Sequence, residues 1–323
     1  MSKKQWKKDA LAMMIEGDTS WRQIAINVGK PKSTVSDYLR KFKDDPEFIQ
    51  EVITPENKPK ILLYDLETSM ILCYTWGIWQ ANINTQAILE DWSIICFAWQ
   101  WYGEGGEVQS CSVHDEFDKH HVQRFRDNER YLVERLWELV DEADVLVAYN
   151  LKRFDKKKMN AKFLEYKLPP PSPYKVVDPL VICKSNFAIT SNKMDYVSKY
   201  VSDVEEGKIG TNLQLWLDSM SDDEDALDEM ARYCRNDIAV LSRVYEAVRG
   251  WDNKSPNLAL HYTDEKIRCN SCGSTDLEEI PNKSHHTTLS SFDILRCRNC
   301  GKVLRKRKTT LSKEKRESLL MNT

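Results

Sequence analysis

Apolar and polar positions along the chain alternate in three different regimes. Between residues 6 and 43 the apolar residues recur at helical spacing: Ala10, Leu11, Ala12, Met13, Met14 and Ile15, then Trp21, Ile24 and Ala25, then Val35, Leu39 and Phe42. Gly17 suits the end of a first helix, and Thr19 or Ser20 suits the N-cap of a second. Val28-Gly29 makes a turn before a third helix over 33–42, capped by Ser33 or a neighbour. The pattern predicts a trihelical module over residues 1–43. Residues 44–59 are polar and proline-bearing, and read as a linker.

From residue 60 the pattern changes. Apolar runs predict strands at 60–65, 92–101, 107–113 and 144–149, with a short one at 175–178. Helical periodicity covers 127–143, 154–167, 191–202 and 222–250. Pro169-Pro170-Pro171-Ser172-Pro173 stops the second of these helices, because proline cannot continue one. Strands first, then alternating helix and strand, predict an α/β domain over 60–250, a mixed sheet with helices on both faces. Phe154 is assigned to its core. Asp65, Glu67 and Asp155 fall at or just beyond strand ends, where such sheets place their sites.

Residues 261–323 hold Cys269-x-x-Cys272-Gly273 and Cys297-x-x-Cys300-Gly301. Each is a tight turn presenting two thiolates, and two such turns close a tetrahedral S₄ site of the kind zinc prefers. A segment this poor in large apolar residues needs such a staple. The segment 261–305 resembles a zinc ribbon, with one structural Zn²⁺ on Cys269, Cys272, Cys297 and Cys300. His285 and His286 lie between the turns as competing ligands. A basic tail, 306–323, follows; its start in Arg305-Lys306-Arg307-Lys308 is either a phosphate contact or a solvated surface. The other five of the nine cysteines are scattered and read as small buried residues, which favours a reducing cytoplasm.

Charge sharpens the division. Residues 1–60 carry 12 basic and 9 acidic side chains, 61–260 carry 22 and 33, and 261–323 carry 13 and 8, within a formal net charge of −3. An acidic, cation-binding centre between two basic ends suits a polyanionic partner. No apolar run reaches the eighteen or so residues of a membrane span. No apolar signal core follows the basic start, which argues against secretion. There is no Gly-x-x-x-x-Gly-Lys-[Ser/Thr], so no nucleotide-motor chemistry is expected.

The candidate chemistry lies in an ordered set of acids: Asp65 and Glu67 in Ile-Leu-Leu-Tyr-Asp-Leu-Glu-Thr (61–68), Asp155 in Asn-Leu-Lys-Arg-Phe-Asp (150–155), and Asp237 four residues after Tyr233. Carboxylates are the preferred ligands of Mg²⁺ and Mn²⁺. The set resembles the DEDD superfamily of 3′–5′ exonucleases in its tyrosine form, with a ribonuclease H-like fold; the position a histidine form would use is Arg232. The resemblance spans roughly residues 58–250. It implies two Mg²⁺ or Mn²⁺ ions held by Asp65, Glu67, Asp155 and Asp237, with Tyr233 orienting the attacking water and Asn150 near the terminal nucleotide. The N-terminal module resembles helix-turn-helix modules, which implies DNA contact through Lys30, Lys32, Ser33, Thr34, Ser36 and Arg40. The three parts together resemble small proteins of bacteriophages and bacteria, which implies a cytoplasmic place, the host's if viral. Two readings stay open: a DNA 3′–5′ exonuclease, with RNA-directed or structure-specific cutting as variants, or a DNA-binding protein using the fold as a scaffold.

Overall fold

The computed structural model describes residues 6, 10, 13–14, 20–42, 58–79, 82–115, 128–201 and 210–321. Leu11, Ala12, Ile15, Gly17, Thr19 and positions 44–57 of the expected linker lie outside them. The chain divides into two compact units, 1–58 with 260–265 and 59–259 with 266–323.

In the first unit, α1 (Trp21–Asn27) starts at Ser20, whose hydroxyl accepts from the Gln23 amide. Gly29 turns the chain at φ 61°, in the left-handed region that favours glycine. The next helix, α2 (Lys32–Phe42), begins one residue earlier than expected, so Ser33 lies inside its first turn. Val35 and Leu39 are buried, packing with Trp6, Ala10, Ile24, Ala25 and Val28. Lys30, Lys32, Ser33, Thr34 and Arg40 are exposed and Ser36 is half-buried.

The second unit is built on a five-stranded mixed sheet. Its strands are β1 (Ile61–Thr68), β4 (Ile94–Trp101), β5 (Gln109–Ser112), β6 (Val145–Val147) and β7 (Lys175–Val177), in the order β5-β4-β1-β6-β7. β4 runs antiparallel to β1 and to β5, while β6 is parallel to β1 and to β7. β1 is central, and Ile61 to Tyr64 are buried without alternation, as a strand covered on both faces must be. Between β1 and β4 a short ribbon of β2 (Leu72–Cys73) and β3 (Ile88–Glu90) leaves the sheet.

Among the described residues, six helices flank the sheet: α3 (Glu129–Glu142), α4 (Asp155–Glu165), α5 (Pro179–Asn186), α6 (Met194–Val201), α7 (Leu213–Met220) and α8 (Glu224–Val248). The longest, α8, is capped by Asp223, which accepts from the Ala226 amide. Its buried stripe, including Leu227, Met230, Cys234, Ile238 and Leu241, repeats at three and four residues and packs on β1, β4 and β5. Helices α5 and α7 were not expected. Leu180-Val181-Ile182-Cys183 carries no clear helical period; Asp178 as N-cap and Pro179 at the first position make the helix. At the C-terminal end, β8 (Leu277–Thr287), β9 (Ser290–Cys297) and β10 (Val303–Arg305) form a second antiparallel sheet, followed by a short helix α9 (Lys313–Glu317).

Candidate active site and the four-cysteine cluster

Asp65 and Glu67 are two apart on β1, so both side chains leave the same face. They stand opposite Ala98 and Cys96 of β4, small residues that leave room above them. The register slips between Glu67 and Thr68, a bulge of the kind that re-aims side chains beside sites. On α8, Tyr233 and Asp237 are one turn apart, and Cys234 between them donates its thiol to the Asp65 carbonyl at 3.4 Å. Tyr233 is buried edge-on to Trp216, ring centroids 6.2 Å apart.

These placements bring one carboxylate oxygen each of Asp65, Glu67 and Asp237 within 4.8 Å of one another. Three ionised groups that close repel by about 3 kcal/mol per pair at an effective dielectric of about 20. A divalent cation among them turns that repulsion into attraction, so the donor set fits a hard cation such as Mg²⁺ or Mn²⁺. Asp155 is not in this group. It is buried in the first turn of α4, and burial, then the charge of Asp65, pushes its carboxyl well above the usual range. Its Oδ1 has no hydrogen-bond partner among the described residues. A cation beside Asp65 would offset that charge and favour the carboxylate form of Asp155.

The acids open into a cavity of about 1000 Å³. Tyr233 lines it, as do Asn150, Arg153, Lys184 and Lys193. Phe154, expected in the core, is 40% exposed and also lines this cavity. It directly precedes α4, where the turn from Asn150 holds the backbone outside the sheet. Asn150 adopts φ 66°, a conformation asparagine tolerates, and Asp178 accepts from its amide at 3.0 Å. Tyr149 donates to the Asn192 carbonyl at 2.8 Å, tying down the loop that carries Lys193. The sequence reading missed Asp178, Lys184 and Lys193. The Asp-Pro start of α5 was the only local signal for the first, and the cations join the site only through tertiary folding.

Residues 104–249 match the model of the RNase_H superfamily. The ribonuclease H-like domain so matched includes Asp155, Tyr233 and Asp237, while Asp65 and Glu67 precede the matched stretch. The mixed sheet with flanking helices matches a ribonuclease H-like core fold. Match and acidic group together support a metal-dependent nuclease of the ribonuclease H-like superfamily. The family B DNA polymerase from the hyperthermophilic archaeon Pyrobaculum calidifontis is similar over 58% of this chain, with 16% identity and a TM-score of 0.42. This chain spans 24% of that polymerase chain. No curated protein matches the chain. Among the described residues no helix is long and apolar enough to cross a membrane.

A second candidate metal centre lies beyond α8. The sulfurs of Cys269, Cys272, Cys297 and Cys300 all fall within 4.8 Å of one another. Cys269 and Cys300 are 3.6 Å apart and Cys272 and Cys297 3.5 Å, too far for disulfides. Tetrahedral Zn–S bonds of about 2.3 Å imply sulfur separations of about 3.8 Å, so the set fits zinc. The two turns are built alike. Gly273 donates to the Cys269 carbonyl and Gly301 to the Cys297 carbonyl, each at 2.9 Å, with φ 74° and 73° at the glycines. His285 and His286 sit on β8 opposite Phe292 and Ser291 and are not in the cluster.

The cysteine turns pack on the end of α8. The Ser271 hydroxyl donates to the Arg249 carbonyl at 3.1 Å, and Lys302 Nζ donates to the Asp252 carbonyl at 2.8 Å. A Cβ on Gly250 would lie 2.1 Å from the Cys300 carbonyl oxygen, so only glycine fits there. Four thiolates around Zn²⁺ carry two net negative charges. Arg249 and Lys302, both buried, are two cations that offset them.

Proposed function

We propose that the protein is a 3′–5′ exonuclease that hydrolyses DNA phosphodiesters with two Mg²⁺ or Mn²⁺ ions. The observation that carries this reading is the convergence of Asp65, Glu67 and Asp237, with Tyr233, on one cation-lined cavity. Asp65, Glu67 and Asp237 would hold one ion. Asp155, whose proton affinity Asp65 raises, would serve the second together with Asp65. Ions bound there would supply a water of lowered pKa and neutralise charge on the leaving oxygen. Tyr233 would orient the water by a hydrogen bond, because a neutral phenol is a poor base. Asn150 meets the terminal nucleotide.

In the same reading, residues 1–43 act as a helix-turn-helix module that grips duplex DNA. Arg22, Lys30 and Lys32 surround a shallow groove there. The four cysteines hold one structural Zn²⁺ in a ribbon.

The deciding experiment incubates the full chain with end-labelled single- and double-stranded DNA and RNA, with and without Mg²⁺. Stepwise release of 5′-nucleotides from DNA 3′ ends is expected. Metal-independent binding without any hydrolysis would leave only the scaffold reading.

Tyr233→Phe separates positioning from ligation. The ring stays packed on Trp216 and one hydroxyl is lost. The rate should fall by roughly ten- to a thousandfold, about 1.4–4 kcal/mol, with metal affinity unchanged. Weakened metal binding by calorimetry would overturn the positioning role.

Removing residues 1–50 should weaken duplex binding and flatten its salt dependence, since phosphate contacts release counterions. Lys32→Ala and Arg40→Ala should reproduce part of that loss, because both side chains are exposed on α2. Hydrolysis of a short single strand at saturation should change little. Equal duplex affinities and equal salt slopes would assign the module to a protein partner.

A further inference from the structure

Between β1 and β4 the chain leaves the sheet as an arm, described at 69–79 and 82–93. Its base is clasped by two buried serines: the Ser69 amide donates to the Ser93 carbonyl, and the Ser93 amide to the Ser69 hydroxyl, each at 2.8 Å. β2 and β3 pair above the clasp, and the Tyr74 amide donates to the Ala87 carbonyl at 2.9 Å. Beyond that pairing, the apolar side chains point outward. Trp76 is 101% exposed, Trp79 91%, Ile78 87% and Tyr74 71%. Exposed apolar groups in such density mark an interaction site. Residues 69–89 contain no Asp, Glu, Lys or Arg, in a chain that is 30% charged.

The topology places this arm beside the acidic cavity. β1, β6 and β7 are parallel, so their C-terminal ends share one edge of the sheet. Glu67 lies at that edge on β1. Arg153 follows β6 and Lys184 follows β7, so cations enter the cavity from the β6–β7 side. β4 is antiparallel and starts at the same edge, so the arm leaves on the opposite side of the acids. Leu72 is five residues from Glu67, within about 17 Å at roughly 3.3 Å per residue. The edge thus offers cations, then carboxylates, then the base of the uncharged arm.

We propose that the arm is a stacking platform for the unpaired bases of a nucleic-acid strand whose end lies in the cavity. The inference rests on the nuclease reading. Phosphates of the terminal nucleotides meet Arg153, Lys184 and Lys193, while bases further along the strand lie on Trp76, Trp79 and Tyr74. Every base has a π-face, so such a platform grips a strand without regard to sequence. An uncharged arm adds no repulsion to a polyanion, in a stretch (61–260) with 33 acidic and 22 basic residues. A lipid surface is the poorer partner. The residues flanking the arm's return, Glu90 and Asp91, are acidic, where membrane-seeking segments carry Lys or Arg.

The test uses the full chain with Trp76→Ala and Trp79→Ala combined. Binding of a labelled oligothymidylate 12-mer is followed by anisotropy at several salt concentrations, with no chelator and no added Mg²⁺ or Mn²⁺. Hydrolysis of a thymidine dinucleotide, too short to reach the arm, is followed in Mg²⁺. The double variant should bind the 12-mer at least 25-fold more weakly, from roughly five- to a hundredfold per ring. Its salt slope should match that of the parent, because the rings neutralise no phosphate. Dinucleotide cleavage should be unaltered, and Phe at both positions should restore most of the affinity. Unaltered 12-mer affinity alongside normal cleavage overturns the platform, as does a switch of oligomeric state in the variant, which would mean that a second copy covers the arm. A parent protein that binds the 12-mer through these rings but never cleaves the dinucleotide sinks the nuclease reading and leaves the platform standing.

Discussion

Asp65→Ala is expected to abolish hydrolysis, lowering the rate by about three orders of magnitude or more, roughly 4 kcal/mol of lost transition-state stabilisation. Asp65 is the acid common to every interaction at the site. It shares the close group with Glu67 and Asp237, and its charge raises the proton affinity of Asp155. The fold should survive. Without metal, removing one of three crowded carboxylates relieves repulsion, so the melting temperature of the metal-free variant should equal or exceed that of the parent. The parent should be stabilised by added Mn²⁺, because an ion that binds only the folded state shifts unfolding by mass action. The variant should show little of that shift. Near-normal hydrolysis by Asp65→Ala in Mg²⁺ would place the site elsewhere.

Loss of the cysteine centre should be the largest effect on stability. We expect about one zinc per chain by elemental analysis, released by chelators or by Cys297→Ser. Structural zinc commonly contributes about 10–16 kcal/mol of apparent binding free energy, which is folding free energy for the segment that holds it. Between residues 266 and 305, the buried apolar side chains are Cys269, Phe292, Leu295 and Cys297. Residues 266–305 should therefore become protease-sensitive in Cys297→Ser while the five-stranded sheet stays folded. Protein purified without chelators and found free of zinc, yet stable, would refute the assignment.

Much of the site was legible along the chain because its acids sit on regular elements. Asp65 and Glu67 follow a buried strand run, and the four-residue step from Tyr233 to Asp237 is one helical turn whatever the surroundings. Both cysteine turns were legible for the same local reason. What depended on tertiary packing was not. Asp155 has the expected place in the order, yet burial sets it behind the other three acids. Phe154 reads as apolar and therefore internal, but the turn from Asn150 brings it to the cavity. Lys184 and Lys193 look like ordinary solvated lysines until α5 and the loop after it fold over the sheet edge. The arm between β1 and β4 hid in plain composition, since its tryptophans and isoleucines look like core residues to any reading based on hydrophobicity.

The close fit at Gly250 bears on how this protein can be divided. Composition suggests a cut after residue 250, trimming a small basic appendage from an intact α/β domain. Such a cut would strip Ser271 from the Arg249 carbonyl and leave the guanidinium, stacked 5.2 Å from Tyr102 and 6.0 Å from Tyr245, without the anionic sulfurs beside it. The same helix carries Tyr233 and Asp237 about 18–24 Å back along its axis, at 1.5 Å per residue. A shortened chain would therefore have an uncovered charged seam at one end of the helix that carries Tyr233 and Asp237. The α/β domain and its cysteine turns are better handled, expressed and engineered as a single piece.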